Sequence, residues 1–357
     1  MPLPRASGDA HARVARRLLS AASLLVLMLL ASACANVPQT TVLPKTEAAR
    51  EIQYLYVWIF WLAVIVFIGV QGALLYIMRR YQYREGQPLP EQVHGNTVLE
   101  IGWTIMPAVI LVLMAVPTIR SIFLLETVPV ASADGGTPMI VEVVGKQWWW
   151  EYHYPEYGIV TANEMVLPVG RTVILNMTSD NVIHSFWVPQ LMGKMDVVPT
   201  HVNQLWFTPE EAGQYFGQCA EYCGIQHAQM RMNVVAMTPS DFQGWVTRQT
   251  NPVPPPAGVD PDTAALVAMG AEQFALNGCV GCHTVQAAVR EEGKIGPNLS
   301  HFGSRTTLAA GILPNTHENL EHWLEDPQAI KPGNMMPNLR LRPQDVDALV
   351  AYLHSLK

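Results

Sequence analysis

The chain has 357 residues, of which 50% are hydrophobic and 14% are charged, and its formal net charge is −7. This length suits two or three domains, and the composition is more apolar than that of an ordinary soluble protein. An acidic chain lacks the basic surface that nucleic-acid binding requires, so we expect no nucleic-acid partner.

Residues 1–33 have the pattern of a secretory signal peptide. Arg13, Arg16 and Arg17 precede an apolar run, and the small residues Ala31-Ser32-Ala33 follow it, directly before Cys34. A basic start, an apolar stretch and a small-residue cleavage site are typical of exported proteins. Cys34 also fits a bacterial lipidation site. Ordinary cleavage beside an unimportant cysteine is the alternative.

Two long apolar runs predict a transmembrane helical hairpin over residues 50–125. The first run, residues 52–78, contains no charged residue, and the second, residues 101–119, ends before Arg120. Each is long enough to cross a hydrocarbon layer of ~30 Å. The arginine-rich loop between them belongs on the cytoplasmic side. We therefore expect a two-helix protein of the bacterial cell membrane, with the rest of the chain on the extracytoplasmic side.

Residues 126–249 consist of short β-rich runs separated by Gly, Pro and Asn. The clearest runs are residues 139–144, 172–177 and 232–237. Several short strands at this spacing are typical of an all-β sandwich or barrel.

A dense group of soft ligands lies within this β-rich segment. Cys219, Cys223, His227 and Met230 fall within twelve positions, and His184 lies far upstream at the end of a predicted strand. Thiolate, imidazole and thioether together suit copper better than zinc. Two bridging thiolates, two imidazoles, one thioether and one backbone carbonyl would complete two four-coordinate coppers. A Cys219–Cys223 disulfide with incidental histidine and methionine is the alternative.

With this loop and the sequence His184-Ser185-Phe186-Trp187-Val188-Pro189, residues 52–246 resemble subunit II of the haem–copper cytochrome c oxidases. The resemblance implies a cupredoxin-like Greek-key barrel that holds the dinuclear centre CuA. It also implies that the Glu221 carboxylate reaches a Mg²⁺ at the interface with subunit I. The implied ligands are Cys219 and Cys223 as bridges, His184 and Met230 on one copper, and His227 and the Glu221 carbonyl on the other.

The same resemblance implies roles for two further residues. Trp148, in Lys146-Gln147-Trp148-Trp149-Trp150, matches the tryptophan through which the family takes up electrons. Aromatic side chains that only cover the edge of a core are the alternative. Glu100, three residues before Trp103, matches the carboxylate at the mouth of a proton channel into subunit I. An ordinary charge at a helix start is the alternative there.

The C-terminal part of the chain predicts a covalent haem domain. Residues 250–260 are proline-rich and form a linker, and Cys279-Val280-Gly281-Cys282-His283 is the attachment motif of c-type haem. Cys279 and Cys282 would form the thioethers, and His283 would bind the iron. Met336 is the expected distal ligand, with Met335 as its rival. Residues 261–357 resemble an all-α class I cytochrome c.

A subunit II followed by a fused cytochrome c resembles the caa-type oxidases. The resemblance implies a path from an external donor, such as a soluble cytochrome c or an upstream respiratory complex, through haem c to CuA. Electrons would then reach haem a of subunit I, where, with CuB, dioxygen is reduced and protons are translocated. A stand-alone, membrane-anchored electron carrier or copper-binding protein is the alternative. Nitrous oxide reductases and quinol oxidases fit less well, because the first need a propeller domain and the second lose the copper ligands.

Overall fold

The computed structural model describes residues 18, 20–28, 39–88, 91–251, 258–285 and 295–357. Residues 20–28 are helical and fall within the predicted signal peptide. Cys34 and residues 252–257 of the predicted linker lie outside the described residues. The predicted limits of the domains stay predictions, and only the helices and strands below are observed.

Two long helices form the predicted hairpin. Helix α1 is Glu47–Arg80 and helix α2 is Thr97–Glu126, and both carry exposed apolar side chains along their lengths. Both are long and apolar enough to cross a membrane. The Trp58 indole donates to the Leu113 carbonyl at 3.2 Å, which joins the two helices. The predicted pair of apolar helices is confirmed, and each helix extends beyond the apolar run that predicted it.

The ends of both helices near residues 47 and 126 are fixed to the β-rich domain. The Thr46 hydroxyl caps α1 and donates to the Leu191 carbonyl at 2.5 Å. The Arg50 guanidinium makes two hydrogen bonds of 2.5 Å to Glu210. At the end of α2, the Trp206 indole donates to the Leu125 carbonyl at 3.0 Å. The hairpin therefore continues into the β-rich domain through direct contacts.

Ten strands of the described residues form two five-stranded sheets, with the orders β3-β2-β1-β5-β8 and β4-β10-β9-β6-β7. The pairs β1–β5 and β4–β10 are parallel, and the other pairs are antiparallel. The strands are β1 Met139–Lys146, β2 Trp149–Tyr154, β3 Ile159–Ala162, β4 Glu164–Pro168, β5 Val173–Ser179, β6 His184–Trp187, β7 Met195–Val197, β8 Asn203–Phe207, β9 Gly213–Cys219 and β10 Arg231–Met237.

The core of this domain lies between the sheets. In β1 and β5 every second side chain is buried, as expected for strands with one face toward a core. Trp150 and Phe186 are fully buried and pack edge to face at 5.4 Å. Helix α3, Pro239–Thr250, covers one end of the core with Trp245, which lies 5.3 Å from the Tyr154 ring. The predicted all-β domain is confirmed.

The C-terminal domain is helical around a separate core. Its helices are α4 Pro261–Leu276, α5 His317–Glu325, α6 Pro327–Ile330 and α7 Pro343–Ser355, and a small hairpin joins β11 Thr307–Leu308 to β12 Leu313–Pro314. Helices α4 and α7 cross where Phe274 packs against Tyr352, with the rings 5.9 Å apart. The N-terminus of each of these four helices carries a proline or a capping side chain. The predicted helical domain is confirmed.

Candidate metal centre and haem pocket

The predicted copper ligands meet at one end of the second sheet. His184 is the first residue of β6 and Cys219 is the last residue of β9, and these two strands are paired neighbours. The loop after Cys219 makes one 3₁₀ turn over His227–Gln229 and returns through Met230 to β10. Because β9 and β10 are antiparallel neighbours, the whole loop lies above the same strand ends. Strand pairing therefore brings the remote histidine to the loop.

The ligand atoms of the cluster converge. The Sγ atoms of Cys219 and Cys223 are 3.7 Å apart. Cys219 Sγ lies 3.8 Å from His184 Nδ1, and Cys223 Sγ lies 3.8 Å from His227 Nδ1. Met230 Sδ is 3.9 Å from Cys223 Sγ. Three soft sulfur atoms and two imidazole nitrogens in one small volume fit copper.

A disulfide does not form between the two cysteines. Their Sγ atoms, at 3.7 Å, are separated by far more than the ~2.05 Å of a disulfide bond. The hydrogen bond that Cys223 donates lowers the pKa of Cys219, with further help from His184. The same contact raises the pKa of Cys223. A lowered pKa favours the thiolate form of Cys219, which is the form that binds a metal.

Two residues outside the predicted set position His184. Asn181 Oδ1 lies 3.2 Å from His184 Nε2, so the Nε2–H donates to the amide oxygen and Nδ1 is left free toward the sulfurs. Gly145 makes room for the ring, because a Cβ at this position would lie 2.8 Å from His184 Cδ2. His184 itself is fully buried. The imidazole is therefore held in one tautomer and one orientation.

Glu221 presents two different groups. Its carbonyl oxygen lies 3.2 Å from Cys219 Sγ, within the ligand cluster. Its side chain and that of the next residue, Tyr222, are exposed. A backbone oxygen facing the cluster and an exposed side chain are compatible with the two roles predicted for this residue, which stay predictions.

Trp148 contacts the copper loop directly. Its indole N–H donates to the Cys223 carbonyl at 2.9 Å, and the Gln147 side-chain amide donates to the same oxygen at 2.8 Å. The loop approaches the indole closely at Gly224, where a Cβ would lie 2.9 Å from Trp148 Cζ2. The predicted electron-uptake residue therefore touches the backbone of a predicted copper ligand.

The haem-attachment motif lies directly after α4. Gly278, with φ +76°, ends the helix, and the turn that follows carries Cys279, Cys282 and His283. His283 Nδ1–H donates to the Pro297 carbonyl at 2.9 Å, which leaves Nε2 free as an iron ligand. Burial lowers the pKa of His283 and favours the neutral ring that iron requires.

The motif opens onto a large apolar cavity that fits a haem. Met335 and Met336 both line this cavity, but Met336 is partly buried and packs against the haem-domain core, whereas Met335 is 55% exposed. The two candidates for the distal ligand therefore differ in burial, and Met336 as the ligand stays a prediction. Other cavity residues from this domain include Phe274, Leu299, Phe302, Leu320, Trp323, Leu349 and Leu353.

The copper-binding domain supplies one wall of the same cavity. Gln147, Trp148 and Trp149 all line it. The Trp149 indole donates to the Ile295 carbonyl at 3.3 Å, and Trp149 packs in a small apolar cluster with Ala310 of the haem domain. The predicted haem pocket and the predicted copper centre therefore share a wall, which contains Trp148.

Glu100 lies apart from both sites. It is in the first turn of α2, behind the Asn96 cap, and its side chain is exposed. An acidic residue in the first turn stabilises a helix, because its negative charge interacts favourably with the positive end of the helix dipole. Its predicted role in proton uptake stays a prediction.

Sequence reasoning did not identify four residues at these sites: Asn181, Gln147, Glu164 and Lys331. Asn181 lies three positions before His184, and Gln147 adjoins Trp148, so proximity to predicted residues was the available signal. Glu164 and Lys331 lie at the contact between the two domains, and no sequence pattern assigned a role to either side chain.

Comparison with known proteins identifies each part of the chain. Residues 158–237 match the family described as cytochrome c oxidase subunit II, periplasmic domain. Residues 40–121 match the transmembrane domain of the same subunit, and residues 267–357 match cytochrome c. The predicted combination of a membrane hairpin, a cupredoxin-like domain and a cytochrome c domain is confirmed.

Relatives match over most of the chain. The cytochrome c oxidase subunit 2 of Alkalihalophilus pseudofirmus is 36% identical over 334 residues, which are 93% of this chain and 95% of the relative. That of Bacillus sp. (strain PS3) is 37% identical over 78% of this chain and 80% of its own length. The crystal structure of the periplasmic domain of subunit II from Bradyrhizobium japonicum is 31% identical and covers 31% of this chain and 92% of its own, with a TM-score of 0.31. The chain therefore belongs to the cytochrome c oxidase subunit 2 family and carries a C-terminal cytochrome c domain.

Proposed function

We propose that this chain is subunit II of an aerobic respiratory oxidase of the caa type and carries both of that subunit's electron carriers. When bound, haem c and the dinuclear copper CuA supply one-electron carriers between an external donor and haem a of subunit I, where dioxygen reduction is coupled to proton translocation. The observation that carries the proposal is the wall shared by the haem cavity and the copper loop.

The ligands in this proposal are the residues that the fold brings together. The distances of 3.2–3.9 Å between neighbouring donor atoms support a compact centre with two bridging thiolates. Asn181 would fix the tautomer of one imidazole ligand, as carbonyl and carboxylate groups do at many metal sites. The proposed copper ligands are His184, Cys219, Cys223, His227, Met230 and the Glu221 carbonyl.

Cys279 and Cys282 would hold the haem covalently, with His283 and Met336 as the axial ligands. The hydrogen bond from His283 Nδ1–H to the Pro297 carbonyl orients the ring toward the cavity. A histidine and methionine pair raises the haem potential into the range of electron transfer.

Trp148 would connect the two carriers. Its ring lines the haem cavity, and its N–H contacts the carbonyl of Cys223. Trp148 would thus take up electrons from the haem of its own chain. A tryptophan that only covered the edge of a core would not be expected to contact both the copper loop and the haem cavity.

The remaining parts of the proposal concern the membrane and the partners. The copper and haem domains would lie on the extracytoplasmic side, because the arginine-rich loop after α1 favours the cytoplasm. The exposed Glu221 carboxylate would bind Mg²⁺ against subunit I, and Glu100 would act at the mouth of a proton channel. The external donor would be a soluble cytochrome c or an upstream respiratory complex.

Metal and optical analysis of the detergent-purified complex tests the proposal. About two coppers and one c-type haem per chain are expected from the ligands of this chain, and haem a with a third copper is expected from subunit I in the same complex. Copper and c-type haem without haem a would contradict the role as an oxidase subunit, and would instead indicate a stand-alone electron carrier.

A further inference from the structure

A buried carboxylate joins the copper-binding domain to the haem domain. Glu164, on β4, is only 6% exposed. Its two oxygens accept hydrogen bonds from the backbone N–H groups of Thr306 and Thr307, at 2.7–3.1 Å. Both threonine hydroxyls donate to the same carboxylate at 2.8 Å. A buried carboxylate without such donors would be costly, so this contact stabilises one relative position of the domains.

The next two strands of the same sheet, β10 and β9, bind the same two threonines. The Gln214 amide of β9 donates to the Thr306 hydroxyl at 3.2 Å, and the Asn233 amide of β10 donates to the Thr307 hydroxyl at 3.3 Å. Three adjacent strands of one sheet therefore contact a single two-residue segment. Arg305, which precedes this segment, attracts Glu164 electrostatically.

A buried lysine makes the reciprocal contact from the haem domain. Lys331 is 3% exposed, and its Nζ donates to the Gln229 carbonyl at 3.0 Å and to the Ala309 carbonyl at 3.2 Å. Gln229 precedes the predicted ligand Met230. Among the residues that the structure describes, no carboxylate lies within ion-pair distance of Lys331. The ammonium therefore depends on carbonyls from both domains.

We propose that Glu164 and Lys331 form an interdomain latch that holds the haem domain in one docked position over the copper loop, and that electrons pass between the carriers in this position without prior undocking. The latch consists of the Glu164 contact with Thr306 and Thr307 and the Lys331 contact with Gln229 and Ala309. This inference rests on the proposed function. In the step concerned, one electron leaves the reduced haem and reduces the oxidised copper pair by one electron.

The latch explains why the position is specific. Each domain buries a charge that depends on polar groups of the other domain: Glu164 accepts from Thr306 and Thr307, and Lys331 donates to the Gln229 carbonyl, so other docked positions would cost these charges hydrogen bonds. Trp149 and Ala310 add an apolar contact between the two domains. Fixing the relative position of two reacting groups maintains the rate of their reaction, and a shift of about 1 Å is enough to reduce it strongly. Glu164 and Lys331 are therefore positioning residues, without a direct role as ligands.

The test uses the intact oxidase complex with Glu164→Gln in this chain, and Glu142→Gln, an exposed glutamate of the same domain, as the matched control. The haem is reduced by a flash-generated reductant, and its reoxidation is followed by absorbance in buffers of increasing viscosity. We expect Glu164→Gln to slow reoxidation at least about tenfold and to make it depend on viscosity. The parent and the control should be fast and independent of viscosity.

Reoxidation of Glu164→Gln at the parental rate, independent of viscosity, would overturn the latch. If this variant fails to assemble, the double variant Thr306→Val, Thr307→Val replaces it, because it removes both hydroxyl donors to Glu164 from the haem domain. Slow, viscosity-dependent reoxidation in the double variant would support the latch, and the parental rate without viscosity dependence would overturn it. Copper content and the haem spectrum are measured in every sample. A parent complex without copper, or one whose haem is not reoxidised, would contradict the proposed function itself, which separates the two failures.

Discussion

The Trp148 indole N–H donates a 2.9 Å hydrogen bond to the Cys223 carbonyl, while the same ring lines the cavity that opens beside Cys279 and Cys282. One side chain thus contacts the backbone of the copper loop and the wall of the haem pocket. In this chain the docked haem domain covers the tryptophan that matches the electron-uptake residue of the family.

Replacing Trp148 with Phe tests this connection. The substitution keeps an aromatic ring but removes the N–H. We expect electron transfer from haem to copper to slow about tenfold, because the loss of one hydrogen bond of ordinary strength changes a rate by about that factor. The measurement is the reoxidation of flash-reduced haem in the intact complex. Trp206→Phe, which removes an indole N–H far from both sites, is the control. Equal rates in the two variants would show that Trp148 has no part in the transfer.

Gly145→Ala should damage the copper centre without touching a ligand. The added Cβ would lie 2.8 Å from His184 Cδ2, so the buried ring must move. We expect copper affinity to fall about 10- to 100-fold, as when other groups that orient metal ligands are altered. Copper content after dialysis against a chelator measures this. Gly213→Ala, whose Cβ meets atoms no closer than 3.7 Å, should keep its copper. A Gly145→Ala protein with parental copper content would contradict the prediction.

The choice between the two methionines can be settled by matched variants. Met336→Leu should lower the reduction potential of the haem and remove the spectral signature of methionine ligation, because a thioether ligand raises the potential. Met335→Leu should change neither, since Met335 is exposed. Redox titration of the haem absorbance measures both. The opposite pattern would identify Met335 as the ligand.

The contact between α1 and the copper-binding domain should weaken in acid. Hydrogen bonds from Arg50 hold the pKa of Glu210 below its ordinary value. A lowered carboxyl pKa contributes stability that is present above the ordinary value of about 4.3 and is lost as the pH falls through the lowered value. Measured against the intrinsic exchange rate at each pH, the protection of the amides at residues 46–50 should therefore fall below about pH 4.

Glu210→Gln should show this loss of protection already at pH 7. Glu156→Gln is the control, because Glu156 also pairs with an arginine, Arg171, but away from the helix. Exchange at residues 46–50 that is the same in Glu210→Gln and in the control would contradict the proposed contribution of the Arg50 contact.

The copper loop was predictable because most of its ligands lie close together in the sequence. Four ligand side chains fall within twelve positions, and His184 was identified because the count of ligands required a second imidazole. The strands were predicted from short β-rich runs separated by Gly, Pro and Asn, and the run at residues 139–144 lies within β1. The hydropathy of α1 marked only its apolar part, and the helix begins earlier because Thr46 caps it.

The contacts between the domains were not predictable in the same way. Glu164 and Thr306 are 142 positions apart, and no spacing rule links residues that meet only when two folded domains dock. Lysine side chains are rarely buried, yet Lys331 is 3% exposed and lies between carbonyls of both domains. The placement of the haem domain over Trp148 follows from these contacts.

The length of α1 has a consequence for how the protein responds to its lipids. Its 34 residues span about 51 Å, well beyond a hydrocarbon layer of ~30 Å, and its first turn is fixed to the copper-binding domain. A helix adapts to a thinner or thicker bilayer by tilting. Because Thr46 and Arg50 join the helix to the domain, such a tilt would also rotate the copper loop. Bilayer thickness is thereby coupled to the angle at which the loop faces the membrane surface.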